Sequence, residues 1–404
     1  MKLVFRKISV LSAILCLAIF SVIFTGELLI PEKVVFYDGN THTQMMAVFY
    51  VRENSKEIVS VSTASEKSIT ADVSILGIIP VKQISAENSQ RRHVYVGGDV
   101  VGIRLYTEGL LVIGTDEVET SDGIVSPGEK CGIESGDIIL SVDDAPVCSV
   151  EDFSNRIARS GGNEVKITVM RNSKKHEFLM TPVYSGAEGK FRCGLWLRDS
   201  TAGIGTLTYA DPENGMFAAL GHAICDSETK SVLPVGEGDI LTAEISGVTK
   251  GEKGITGQIK GNFGNKILGA LKENNEFGVY GTFSSDEILY GDLLPVASET
   301  EIRTGDAQIL CNADGNGTEC YDIEIEKITY TGGKTSRSMV IEITDEDLLE
   351  KTGGIVQGMS GSPIIQDGML VGAVTHVFLN DPSRGYGIFA ETMLSESDRL
   401  ADGF

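Results

Sequence analysis

Positive charge is scarce in this chain. Against 57 Asp and Glu there are 34 Lys and Arg, a formal net charge of -23. Such a field repels phosphate backbones, so no nucleic-acid partner is expected. Only five histidines occur in 404 residues, so imidazole chemistry has few candidates. The seven cysteines include no C-x-x-C pair, so no structural zinc is expected, and nothing else calls for a metal or cofactor. Long apolar helical patterns are few and no internal repeat is evident, whereas 47 glycines are spread along the chain. Those features favour a mainly β architecture with many tight turns.

What is present divides into segments. The length exceeds what one core usually serves, and two or three domains are expected. The N-terminal Lys2, Arg6 and Lys7 precede a charge-free run from Ile8 to Phe24. At ~1.5 Å per residue this run nearly crosses a hydrocarbon core. The basic flank places the N-terminus in the cytoplasm and everything after about residue 30 across the membrane. No clear small-residue cleavage site follows, so an uncleaved transmembrane helix over 1–30 is favoured over a cleaved signal. Residues 31–96 alternate short β-branched runs with polar breaks and read as a small β-rich module. Cys311 and Cys320 flank a polar loop and are candidates for a disulfide in an exported domain, with free thiols as the alternative.

Residues 97–185 are more specific. "SVEDFSNRIARSGG" predicts a helix with Ser149 as N-cap, Phe153 and Ile157 on one face and Gly161 at its end. With "SPGEKCGIESGDIILSVDDAPV" before it and the alternating strand "EVKITVMRN" after it, the segment resembles a bacterial PDZ domain of α+β type. That resemblance implies binding of an extended peptide by strand addition. Val100, Val101, Gly102 and Ile103 are expected to form the loop and pocket that take the peptide's terminal carboxylate.

Residues 186–404 read as strands separated by turns, with helices expected at "DEDLLEKTGG" and "AETMLSESDRL"; the pattern suits one or two barrels. Within it, "GMSGSP" has the parts of an activated serine. Serine needs a base to take its proton and fixed donors for the oxyanion. Gly358 and Ser360 are two residues apart, so their N–H groups can converge on one oxygen, as in the trypsin-like template. His222 in "AALGHAICD" precedes Ser360 by a trypsin-like separation and is the expected base; His376 is the rival. Asp286, Asp292 and Asp345 remain open as the orienting acid, Asp226 being too near His222 in sequence for that role, and Thr344 or Asp345 also suits the N-cap of the next helix.

The anchor, the PDZ-like segment, "GIGTLTYADPENGMFAALGHAI" and "GGIVQGMSGSPIIQDGMLVGAVTHVFLNDPSRGYGIF" together resemble the SpoIVB-type serine peptidases of endospore-forming bacteria over nearly the whole chain. The resemblance implies a trypsin-like domain in which Ser360, His222 and Asp345 form the catalytic triad. It further implies export to the space between the forespore and mother-cell membranes, self-cleavage, and self-recognition through the PDZ domain. The implied substrate is a regulatory membrane protein of an intramembrane protease complex that processes a late sigma factor precursor. The reading from another class is a PDZ scaffold without catalysis, which would need neither His222 nor "GMSGSP".

Overall fold

The computed structural model describes residues 69–172, 174–284, 291–330 and 335–403, with 33–37, 42–45, 49–54 and a few positions between 17 and 24. The expected anchor falls mostly outside the described residues. Among those described, no helix is long and apolar enough to cross a membrane.

A five-stranded sheet comes first. Its strands His42–Met45, Phe49–Asn54, Ile69–Ile75 and Ile79–Ser89 form an antiparallel meander, and Lys33–Tyr37 adds to Ile79–Ser89 in parallel. Val51, Ala71 and Val73 face inward, as alternation in a one-sided sheet requires.

Two closed rings of antiparallel strands follow. In the first, Val100–Thr115 pairs with Val235–Thr249, which pairs with Gln258–Asn275, then Gly278–Phe283, Met216–Ala219 and Leu195–Asp211. Pairing of Leu195–Asp211 back onto Val100–Thr115 closes the ring. The second contains Gly305–Cys311, Glu319–Ile328, Met339–Ile343, Asp381–Phe389, Met369–Phe378 and Pro363–Gln366. Closure leaves no free strand edge in either ring. The first is filled by Ile103, Leu105, Phe217 and Val279, the second by Ile309, Ile323, Ile341 and Phe389. The helix Ala390–Ala401 closes the side between them, its Met393 and Leu394 packing with Tyr209 and Tyr280.

The PDZ part grows out of the first ring. Val100–Thr115 and Leu195–Asp211 are long strands whose one end lies in the ring and whose other end reaches Ile138–Val142, which pairs with Val165–Arg171 and it with Lys174–Met180. The helix Val150–Arg159 is capped as expected: Ser149 Oγ accepts from the Asp152 N–H at 3.1 Å, and Phe153 and Ile157 are buried against Leu110, Ile139 and Val169. Cys311 and Cys320 do not bridge. Cys311 faces the barrel core and Cys320 faces solvent, and both are free thiols.

One expectation is corrected here. Val100, Val101, Gly102 and Ile103 do not form a carboxylate-binding loop. They are interior strand residues: Gly102 pairs with Ile204 on one side and Leu241 on the other. Val100, Val101 and Ile103 are at most 3% exposed. With partners on both edges, their backbone groups are committed to the ring and no peptide can add there. The cleft of the PDZ part lies elsewhere. Val150, Phe153 and Ile157 of the helix face residues 190–197 across a space of about 480 Å³. Residues 195–198 pair on one side with residues 111–115, and among the described residues no strand occupies their other edge.

Candidate active site

The strand Met216–Ala219 of the first ring ends in the turn Leu220-Gly221-His222, and the strand Pro363–Gln366 of the second is entered through Gly358-Met359-Ser360-Gly361. These two turns meet. A Cβ on Gly361 would lie 2.5 Å from the Leu220 nitrogen and 2.2 Å from the Thr206 carbonyl oxygen, so only glycine permits the approach; its φ of 95° also favours glycine. Gly221 in turn sits against Thr375 on the strand behind the serine.

His222 is half-buried. Its Nδ1 lies 2.9 Å from the carbonyl oxygen of Ala223. A carbonyl oxygen only accepts, so the proton sits on Nδ1 and Nε2 keeps its lone pair, the tautomer a general base requires. The same peptide unit is held from its other end. Asn274, a residue the sequence reading passed over, accepts the Ile224 N–H on Oδ1 at 2.7 Å and donates from Nδ2 to the carbonyls of Ile224 and Leu233 at 2.8 and 2.9 Å. The His376 ring lies 4.8 Å from that of His222, centroid to centroid, and its buried Nδ1 has no hydrogen-bond partner among the described residues.

The serine turn is held by one residue of the first ring. The Thr206 N–H donates to the Ser360 carbonyl at 3.0 Å and its Oγ1 donates to the Gly358 carbonyl at 2.7 Å. Its own carbonyl accepts from the Leu220 N–H at 3.3 Å, so Thr206 ties the serine turn to the histidine turn. Thr208, two residues on and on the same face, donates to the Gly361 carbonyl at 2.8 Å. With these carbonyls fixed, the N–H groups of Gly358 and Ser360 donate to nothing among the described residues. Ser360 Oγ itself donates to the Thr375 carbonyl at 2.9 Å, so its proton must leave that acceptor before an imidazole can take it.

Residues 189–394, just over half of the chain, match the family model of the SpoIVB peptidases, S55, and residues 123–171 match a PDZ domain. The chain belongs to the SpoIVB peptidase family. It is a serine peptidase with a PDZ domain. No curated protein matches it. Among solved structures it is similar to the PDZ domain of an SdrC-like protein from Listeria monocytogenes, with 21% identity over 22% of this chain and 87% of that one, at a TM-score of 0.19. It is also similar to the active form of the Rv3671c protease from M. tuberculosis (14% identity, 50% and 75% covered, TM-score 0.31). A third is the HtrA-type protease AlgW with a decapeptide (12% identity, 51% and 55% covered, TM-score 0.30).

Within this SpoIVB-type peptidase, Asp345 makes no hydrogen bond to His222 among the described residues. It is the N-cap of the helix Glu346–Thr352, with Oδ1 accepting from the Leu348 N–H at 2.9 Å and Oδ2 from the Asp322 N–H at 3.4 Å. Val340 pairs with Tyr386, whose carbonyl accepts from Thr375 Oγ1, and the Thr375 carbonyl accepts from Ser360 Oγ. Asp345 lies five residues on from Val340, beyond the end of that strand at Ile343. The other candidates do not replace it. Asp226 is buried under Arg198 and accepts from the N–H groups of Glu228 and Thr229; Asp292 is exposed just before the strand Leu293–Pro295; Asp286 lies outside the described residues.

Burial is the main influence on both imidazoles. It holds His222 below its ordinary value, with the Ala223 carbonyl acting the other way. It pushes His376 down to about 4, helped by His222 and Arg337. Between pH 4 and ~6.5 the unfolded chain therefore binds more protons at these positions than the folded one. Two results are expected: the acid limb of the kcat/KM profile falls below the ~6.5 of a free imidazole, and stability drops as pH falls through that window. A pH–rate profile with parallel thermal melts checks both.

Proposed function

We propose that Ser360 is the nucleophile and His222 the general base of an endopeptidase, with the N–H groups of Gly358 and Ser360 as its oxyanion hole. The observation that supports this most is that two N–H groups of the serine turn, without acceptors among the described residues, lie on a turn packed against that of a histidine whose Nε2 lone pair is available. In the reaction, the Ser360 hydroxyl proton leaves the Thr375 carbonyl for Nε2. Nε2 takes its proton as Oγ attacks the scissile carbonyl, and the developing oxyanion is met by donors already in place. His222 then returns the proton to the leaving amine. The Ala223 carbonyl, held by Asn274, keeps the imidazole in the working tautomer. Asp345 as the family's acid remains part of the expectation only if its cap opens.

Thr206 is placed in a positioning role, because it fixes the two carbonyls that flank the oxyanion donors. Thr206→Val removes the Oγ1 bond while keeping the shape. Its expected effect is a fall in kcat of about 10-fold, a part of what full loss of an oxyanion donor costs, with KM little changed and rescue by Thr206→Ser. Steady-state kinetics of the two variants decides it.

The substrate class we propose is protein: the chain itself, and a regulatory membrane protein of an intramembrane protease complex in sporulation signalling. The PDZ cleft between Val150–Arg159 and residues 190–197 would take an extended peptide from either by strand addition to the free edge of residues 195–198. The run Ile8–Phe24 would keep the enzyme at the membrane, with the later domains outside the cytoplasm between the forespore and mother-cell membranes. The test is incubation of purified full-length protein with time-resolved mass spectrometry. Discrete truncated products are expected; an intact chain throughout would remove self-cleavage from the reading.

A further inference from the structure

The hairpin joining Ile69–Ile75 to Ile79–Ser89 has an unusual tip. Its turn is Ile75-Leu76-Gly77-Ile78, closed by the Ile78 N–H donating to the Ile75 carbonyl at 3.0 Å, with φ of 53° at Leu76 and 70° at Gly77. Two successive positive φ values define a type I′ turn, whose first central position strongly favours Asn, Asp or Gly. Leucine there is strained, since its Cβ crowds the backbone in the left-handed region. Among the described residues little packing offsets the strain. Leu76 is 61% exposed, Ile78 80% and Ile79 37%. Gly77 and Pro80 are exposed too, and no charged residue lies between Asp72 and Lys82. An apolar residue at a position where it costs stability and stays mostly exposed among the described residues points to a partner for the tip.

The direction of the chain identifies that partner. Lys33–Tyr37 runs parallel to Ile79–Ser89 with Lys33 opposite Ser85, so the chain enters this strand from the side of the sheet where the tip lies. From the level of Ser85 to that of Ile79 is about 20 Å at ~3.3 Å per residue. Residues 25–32 can span up to ~28 Å when extended. The charge-free run Ile8–Phe24 can therefore sit level with Leu76, Ile78 and Ile79.

We infer that the tip formed by Leu76, Ile78 and Ile79 inserts into the bilayer surface beside the N-terminal segment and fixes the orientation of the five-stranded sheet on the membrane. The side chains reach the acyl-chain boundary, while Asp72 and Lys82 stay at headgroup level. This rests on the reading of Ile8–Phe24 as a membrane segment, and the experiment separates the two.

Full-length protein with Ser360→Ala, to prevent self-cleavage, and Trp196→Phe, to remove the only native indole, carries Ile78→Trp. It is reconstituted with phosphatidylcholine vesicles, with or without bromine on the acyl chains. Co-sedimentation reports the N-terminal segment, and quenching by the brominated lipid reports the tip. The expected result is co-sedimentation with at least twofold quenching of the Ile78→Trp emission. A Leu179→Trp control, at an exposed position on a PDZ strand, should be unquenched. Co-sedimentation with quenching no greater than the control overturns the inference alone. Failure to co-sediment overturns it together with the membrane reading. A concentration-dependent blue shift without quenching assigns the tip to a second copy instead. Leu76→Asn, which gives the turn its preferred residue, should raise the thermal midpoint and reduce the quenching about twofold. A lowered midpoint would mean that Leu76 is kept for packing and would contradict the proposal.

Discussion

Ser360→Ala is expected to abolish peptide-bond cleavage, on the order of 10⁶-fold in kcat, while the protein remains folded. The second half of that expectation follows from what the hydroxyl does in the structure. Ser360 Oγ makes one hydrogen bond, as donor to the Thr375 carbonyl. Thr375 Oγ1 separately serves the carbonyls of Ser336 and Tyr386, and the serine turn is held by Thr206 and Thr208 through main-chain oxygens. Alanine leaves all of those in place. The cost to stability is then about 1 kcal/mol, the ordinary worth of one such bond. His222→Ala should cost activity nearly as much, since base and nucleophile act as a unit. Purified variants followed by gel and mass spectrometry for truncated products, with a thermal melt for each, supply the check. Cleavage at wild-type rate by Ser360→Ala would end the assignment.

Asp345→Asn is the second decisive variant, because the two roles open to this residue predict results about four orders of magnitude apart. Asparagine caps helices as well as aspartate does, so the bond to Leu348 survives the change. A cap role therefore predicts a thermal midpoint and kcat within a few-fold of wild type. A triad acid predicts a loss of about 10⁴-fold in kcat, the effect of placing an amide where the imidazole needs a carboxylate. The geometry favours the first outcome. The His222 Nδ1–H already has an acceptor in Ala223, and both Asp345 carboxylate oxygens accept from main-chain N–H groups, of Leu348 and Asp322. A loss near 10⁴-fold with an unchanged melt would show instead that the working enzyme rearranges the segment from Thr344 to Gly353. Asp345→Ala provides the complement: about 1 kcal/mol less stability from the lost cap.

The sequence made some of this architecture legible through local signals. The PDZ helix was readable because Ser149, Phe153, Ile157 and Gly161 state its start, face and end within a dozen residues. The strands and the two helices of the C-terminal part were readable for the same reason, and "GMSGSP" announced a tight turn at the serine. Long-range pairing was not legible. Val100 to Ile103 is an apolar run that fits a peptide-binding loop as well as a ring strand. Only its two partners, Leu195–Asp211 and Val235–Thr249, each remote in sequence, decide between them. The same strands carry the PDZ part and the first ring together, which blurs a boundary that composition places near residue 185.

Within the site, the residues that touch substrate were easier to find than those that hold them. His222 stood out among five histidines by its small, apolar flanks. Thr206 and Thr208 carried a fainter signal: two hydroxyls spaced by two in the otherwise apolar "GIGTLTYAD", hence on one face of a strand, and both fully buried. Buried hydroxyls need partners, and here the partners are the carbonyls of the serine turn. Asn274 gave no signal beyond its type. Asp345 was ambiguous from the start, because an aspartate just before a short helix is an N-cap by local chemistry whatever else a family resemblance assigns to it.

The central claim is that Ser360 is a nucleophile activated by His222. Treatment of the full-length protein with a fluorophosphonate, followed by mapping of the adduct by mass spectrometry, tests it most directly. One phosphonyl group per chain on Ser360, with labelling lost in His222→Ala and cleavage lost in step with labelling, is the predicted result. Undiminished cleavage with Ser360 unlabelled, or a stoichiometric adduct on another serine, would contradict it.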